Sequence, residues 1–156
     1  MLLDTTVAVA HLRGVATVSE RLAEVATRYM SAVALGELHF GLWRSERREE
    51  NRARLDRWLQ GVVVLPVGAA TAVRYGELKQ QLALAGTPIP ENDLWIAAVA
   101  IERGLPVATP DEHFFRVPGL TVLDGRQLFL SHIFAVLTGP VRLSSRTSRS
   151  HLAWSW

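Results

Sequence analysis

The chain of 156 residues contains no cysteine, which excludes disulfide scaffolds, thiolate zinc sites, iron–sulfur ligation and thiol nucleophiles together. Whatever chemistry it performs must use oxygen or imidazole. Lysine is almost absent as well: Lys79 is the single one among 17 basic residues. Cationic contacts therefore fall to arginine, whose planar guanidinium suits bidentate contact with carboxylate or phosphate. Long apolar runs are missing. The longest, LWIAAVAI (94–101), is far short of the roughly 20 residues that span a bilayer, and no basic segment followed by a cleavable apolar core opens the chain. A soluble, cytoplasmic protein is expected. There is no GxGxxG, P-loop, HExxH or GxSxG, so nucleoside-triphosphate and serine-hydrolase chemistry drop out.

What is present is a globular balance. Hydrophobic residues make up 49% and charged residues 21%, which supports one compact domain with its own core. Charge is uneven along the chain. Residues 132–156 carry Arg142, Arg146 and Arg149 and no acid, so the preceding 131 residues hold 14 bases against 15 acids. The division expected is a folded domain over 1–131 and a basic tail over 132–156 that has no sustained period and no predicted fold.

Within the domain, short apolar runs alternate with helical periods. MLL (1–3) reads as a buried strand and TTVAVAHLRG (5–14) as a helix that Gly14 stops. SERLAEVATRY (19–29) reads as a helix with Ser19 as a possible cap, and MSAVAL (30–35) as a strand leading into a helix that begins near Ala34 to Glu37. Residues 44–60 predict an exposed helix with ion pairs Glu49–Arg52 and Glu50–Arg54. VVVLPV (62–67) is the clearest buried strand, followed by a helix over 71–86. TPIPEN is a rigid loop. A mostly apolar helix follows over 93–104, then a strand (105–109), a loop with one helical turn, and a last strand (120–123). This alternation predicts an α/β fold, a parallel sheet covered on both faces.

In such sheets ligands sit outside the carboxyl ends of the strands. Asp4 directly follows the first strand, Glu37 comes shortly after the strand SAVAL, Asp93 opens the helix DLWIAAVA, and Asp111 lies two residues past the strand PVAT. Taken singly, the aspartates could cap helices and Glu37 could pair with an arginine. Taken together, four carboxylates can converge on one edge, where mutual repulsion is relieved by a cation. Hard oxygen ligands select magnesium or manganese, which can lower the pKa of an attacking water and stabilise charge on a phosphodiester. Thr5, Thr6, Thr109 and Asn92 stand where they could orient ligands or waters. The five histidines have no zinc-type spacing and suit surface or loop roles, with His113, two residues from Asp111, as the exception.

Four segments, MLLDTTVAVAHLRG, SAVALGELHFGL, IPENDLWIAAVAIERGLPVAT and TPDEHFFRVPGLTVL, occur in the order and at the spacing of one family. The chain resembles the PIN-domain ribonucleases over about residues 1–126, and within them the VapC-type toxins of toxin–antitoxin pairs. The resemblance implies a parallel α/β/α sandwich, a homodimer, and magnesium- or manganese-dependent cleavage of RNA. It matches the acids of the family's metal site to Asp4, Glu37, Asp93 and Asp111, with Thr5 and Thr109 as the accompanying hydroxyls. It implies a small VapB-like antitoxin that holds the protein inactive. Many relatives carry an asparagine and a further aspartate in the last acidic loop, where this chain reads PDEHFF, leaving Asp111 and Glu112.

The function expected is a metal-dependent endoribonuclease toxin that cleaves structured cellular RNA and is inhibited by its antitoxin. The alternative is a PIN-like module that binds an antitoxin-like partner or RNA without turnover. A metal phosphatase is the weaker third, because a covalent-aspartate enzyme wants a second acid two residues after Asp4, and that position is Thr6.

Overall fold

The computed structural model describes residues 1–124; the expected tail over 132–156, with Arg142, Arg146 and Arg149, lies outside the described residues. The order of elements is β1 (Leu2–Leu3), α1 (Thr5–Leu12), α2 (Ala16–Ala23), β2 (Arg28–Ser31), α3 (Ala32–Trp43), α4 (Arg48–Leu59), β3 (Val62–Leu65), α5 (Ala69–Leu84), α6 (Glu91–Arg103), β4 (Val107–Ala108), a 3-10 turn (Glu112–Arg116) and β5 (Val122–Leu123). The five strands form one sheet in the order β3-β2-β1-β4-β5, and all pairs are parallel. Helices cover it, as expected of an α/β/α sandwich.

The layers follow from strand geometry. Neighbouring residues of a strand point to opposite faces, so Leu2 and Val107 enter the larger apolar cluster, whereas Leu3 and Ala108 enter a smaller one completed by Leu22 of α2. Both faces of β1 and β4 are therefore dry. In α6, Ile96, Ala97, Ala98, Val99 and Ala100 are all buried, the mark of a helix enclosed by its neighbours. Gly104 ends it in the left-handed region at φ 61°, which only glycine adopts without strain.

Several boundaries differ from the expected ones. The expected strand 30–35 is β2 at Arg28–Ser31, and α3 starts at Ala32 because the Ser31 hydroxyl accepts a bond from Ala34 N (3.0 Å) and caps the helix there. Glu37 thus stands on the second turn of α3 rather than just past a strand. The expected helix 19–29 ends at Ala23, which frees Arg28 and Tyr29 for β2. Ser19 is no cap: it lies inside α2 and its hydroxyl donates to Val15 O. α4 starts at Arg48 rather than 44, and its ion pairs are Arg54–Glu50 and Arg52–Asp56 instead of Glu49–Arg52. The valine run of β3 occupies a sheet edge, so Val63 and Val64 are exposed rather than buried.

Candidate active site

The strand order places β1 beside β4, although they are far apart in sequence. Chain connections from β1 run towards β3 on one side and from β4 towards β5 on the other, so the crevice beyond the ends of β1 and β4 is the switch point where α/β sheets bind ligands. Leu3 and Ala108 are in register, which sets the next residues, Asp4 and Thr109, side by side. The Thr109 hydroxyl donates to Asp4 Oδ2 at 2.9 Å. Thr6 donates to the same oxygen. Asp4 occupies the N-cap position of α1, yet its side chain makes no cap bond; its carboxylate is turned to hydroxyls instead. It is only 3% exposed, and burial raises its pKa against the opposing bonds from Thr6 and Thr109.

The other acids approach from three elements. Glu37 of α3 accepts the hydroxyl of Thr5 on Oε2 and the amide of Asn92 on Oε1 (2.8 Å). Among the described residues it pairs with these two neighbours and with no arginine. Asp93 stands in the first turn of α6, where the helix dipole favours an anion. Its pKa is nonetheless raised to about 6, first by burial, then by the negative charges of Asp4 and Asp111, with the bond to His113 opposing. Asp111 accepts from His113 N (2.9 Å) and so caps the 3-10 turn, while its own amide donates to Thr109 Oγ1 (3.0 Å).

His113 closes the constellation. Its Nδ1 lies 3.1 Å from Asp93 Oδ2 and 3.1 Å from Asp111 Oδ1, so the ring bridges two acids that are 18 positions apart in sequence. Ligand atoms of Asp93, Asp111 and His113 fall within 4.8 Å of one another. Its place two residues from Asp111 was the one signal for it in the sequence.

The structure therefore links Asp4, Thr6, Asp93, Thr109, Asp111 and His113 by short bonds or mutual charge, while Glu37 forms a second group with Thr5 and Asn92, whose chain neighbours Asp4 and Asp93 belong to the first. The donor set fits a hard divalent cation. Buried or crowded carboxylates with raised pKa values have too little positive charge nearby, and carboxylate oxygen is the ligand type such ions take. A separate cavity of about 530 Å³, lined by His11, Leu12, Gly14, Arg54, Arg57 and Trp58, includes none of these acids.

The model of the PIN domain family matches residues 1–120. Among curated relatives, ribonuclease VapC2 of Rickettsia felis is 34% identical over 102 residues, covering 65% of this chain and 76% of the relative. The tRNA(fMet)-specific endonuclease VapC of Salmonella typhimurium is 33% identical over 96 residues, 61% of this chain and 73% of that protein. Among solved structures, VapBC2 from Rickettsia felis bound to a DNA fragment from its promoter aligns with a TM-score of 0.76 at 29% identity, covering 79% of this chain and 96% of the other. FitAcB from Neisseria gonorrhoeae aligns at 0.72 and 26% identity, covering 80% and 97%.

Proposed function

This chain belongs to the PIN-domain family, in its VapC branch, and from that premise we propose that it is a metal-dependent endoribonuclease toxin that hydrolyses phosphodiesters in structured cellular RNA. The observation that carries this is the gathering of Asp4, Asp93 and Asp111 at the switch point of the sheet, where burial first and then the charges of Asp4 and Asp111 raise Asp93 to about 6. Relatives named as ribonucleases and structural neighbours that are toxin–antitoxin complexes support it. A cognate VapB-like antitoxin and a homodimer are part of the proposal, as are a cytoplasmic location and a nuclease domain ending near residue 131. No described helix is long and apolar enough to cross a membrane.

In this mechanism Asp4, Glu37, Asp93 and Asp111 would hold magnesium or manganese directly or through water. Such an ion supplies positive charge that acidifies the attacking water and offsets the charge that builds on the scissile phosphate. The protein's own part is preorganisation. Thr6 and Thr109 fix Asp4, and Thr5 and Asn92 fix the two oxygens of Glu37. Each acid thus enters the reaction with its rotamer already set, so little reorganisation is left for the transition state. In the cation-free protein burial and the charges of Asp4 and Asp111 favour the protonated form of Asp93, so binding of a cation would release that proton. His113 holds Asp93 and Asp111 together and orients both.

The test is incubation of total cellular RNA with the wild type and with Asp93→Asn, each with magnesium and with chelator, reading fragment ends by sequencing. Discrete cuts by the wild type with metal alone are expected. No cuts under any condition, with no metal uptake in calorimetry, would sink the proposal and leave the non-catalytic binding module.

A further inference from the structure

The face of α3 that borders the acidic site is aromatic and cationic. Phe40 and Trp43 are 63% and 69% exposed, and two large aromatics one turn apart form an apolar patch rather than a scattered pair. The Arg44 guanidinium lies 5.7 Å from the centroid of the Phe40 ring, and that of Arg48, at the start of α4, lies 3.4 Å from that of Trp43. Further along α4, Arg52 and Arg54 have carboxylate partners. Arg44 and Arg48 have none among the described residues.

Helical spacing ties this face to the site. Gly36, Phe40 and Arg44 follow one another at intervals of four, and Glu37 stands three before Phe40, at the border of the same face. Gly36 adds an independent observation. It is exposed in the helix, and a Cβ built on it would meet nothing within 4 Å. A glycine there weakens the helix relative to alanine, and no packing among the described residues requires it. The surface over Gly36 is open among the described residues.

We propose that this face of α3, with Arg48, is a platform for the single-stranded part of the RNA substrate. Bases stack on Phe40, Trp43 and the guanidinium planes over them, and Arg44 and Arg48 meet backbone phosphates on the path to Glu37. The inference rests on the nuclease reading and adds how substrate is held. A polyanion approaching a cluster of carboxylates is repelled, so unpaired cations beside the cluster are what lets it approach. Ring stacking then adds affinity with little dependence on base identity. A protein partner can use the same residue types, but continuity with Glu37 favours the ligand that must reach Glu37.

The test measures binding of a labelled oligouridylate to the full chain in chelator, with total-RNA cleavage by the wild type run in parallel with magnesium. Phe40→Ala with Trp43→Ala is expected to weaken binding about ten-fold or more. Arg44→Gln with Arg48→Gln is expected to lower the slope of log Kd against log salt by about 1.4, at about 0.7 per phosphate contact. Phe40, Trp43 and Arg44 are exposed and Arg48 is half-buried, so melting temperatures should hold; if the aromatic pair unfolds the protein, Trp43→Ala alone and the arginine pair carry the test. Unchanged affinity and slope would overturn the platform, as would a wild type that binds no RNA. So would variants that bind RNA normally but lose self-association or a co-expressed antitoxin, which would assign the face to a protein. Cleaving wild type with unaffected variants removes the platform and keeps the nuclease; weakened variants of a wild type that never cuts do the reverse.

Discussion

The two halves of the acidic site are held in different ways. Asp4, Thr5 and Thr109 form an inner half at the ends of β1 and β4, each 3% exposed or less. Asp93, Asp111 and His113 form an outer half on α6 and the 3-10 turn, where the Asp111 and His113 side chains are 33% and 36% exposed. Inner positions are dictated by strand register, since Leu3 pairs with Ala108 and the next residues must meet. Outer positions depend on a short turn that Asp111 itself caps. Under the proposed nuclease function, buried charge inside and more exposed charge outside would suit a site that keeps its cation ligands fixed while a bulky phosphodiester comes and goes.

The strongest way to break this comparison is to remove a carboxylate from each half. Asp4→Asn and Asp93→Asn should each reduce RNA cleavage by about 100-fold or more, on the scale seen when a preorganised electrostatic group is lost. Circular dichroism should find both variants folded. Wild-type cutting by either, at equal folded fraction, would remove that residue from the site.

Stability should separate the halves in the opposite sense. Thr109 is buried, donates to Asp4 and accepts from Asp111 N. Thr109→Val keeps its shape, leaves Asp4 Oδ2 with Thr6 as its one hydroxyl donor and takes the acceptor from the Asp111 amide, so a loss of about 2 kcal/mol is expected in denaturant titration. A change under about 0.5 kcal/mol would mean that the Thr109 hydroxyl is not what holds Asp4 in place.

The pH dependence sharpens the point. Asp93 has a folded pKa of about 6 against an ordinary 3.8, so between those values the folded state binds its proton more tightly than the unfolded chain does. Stability from this group is present below about pH 4, is lost as pH rises to about 6, and stays lost above. Cation-free wild type should melt lower at pH 7 than at pH 5, and Asp93→Asn should lessen the difference by about 1 kcal/mol, a value discounted for solvent screening. Magnesium at pH 7 should recover part of the wild-type loss. A slope identical in the variant would deny Asp93 its role.

Most of the inner half was legible in the sequence because its causes are local. An aspartate directly after a buried strand sits at the ligand-binding edge of a parallel sheet whatever the helices do. Asp93 was legible for a similar reason, as an acid opening an apolar helix after a proline loop. What escaped were features set by distant partners. The start of α3 turned on one capping bond from Ser31, hidden in a run of apolar residues that reads equally well as strand. The valines of β3 have the composition of a buried strand, and only the sheet order puts them at an edge. His113 bridges two acids because the turn after β4 folds back onto α6, and nothing in the spacing of the chain states that contact.

His113 gives the smallest expected effect and the sharpest one for the outer half. Its ring bonds to Asp93 and lowers that group's pKa against burial and the charges of Asp4 and Asp111. His113→Ala removes this opposition, so the Asp93 pKa should rise further and the acidic limb of the cleavage profile should move to higher pH. Because the ring is half-buried at the rim of the site, stability should change by less than about 1 kcal/mol. Activity at neutral pH should fall by about ten-fold or less, as expected of a residue that orients ligands rather than one that touches the reacting atoms. An unmoved acidic limb would mean that His113 only ties down the turn. A loss as deep as that of Asp93→Asn would place its ring among the groups that hold the ion or the phosphate.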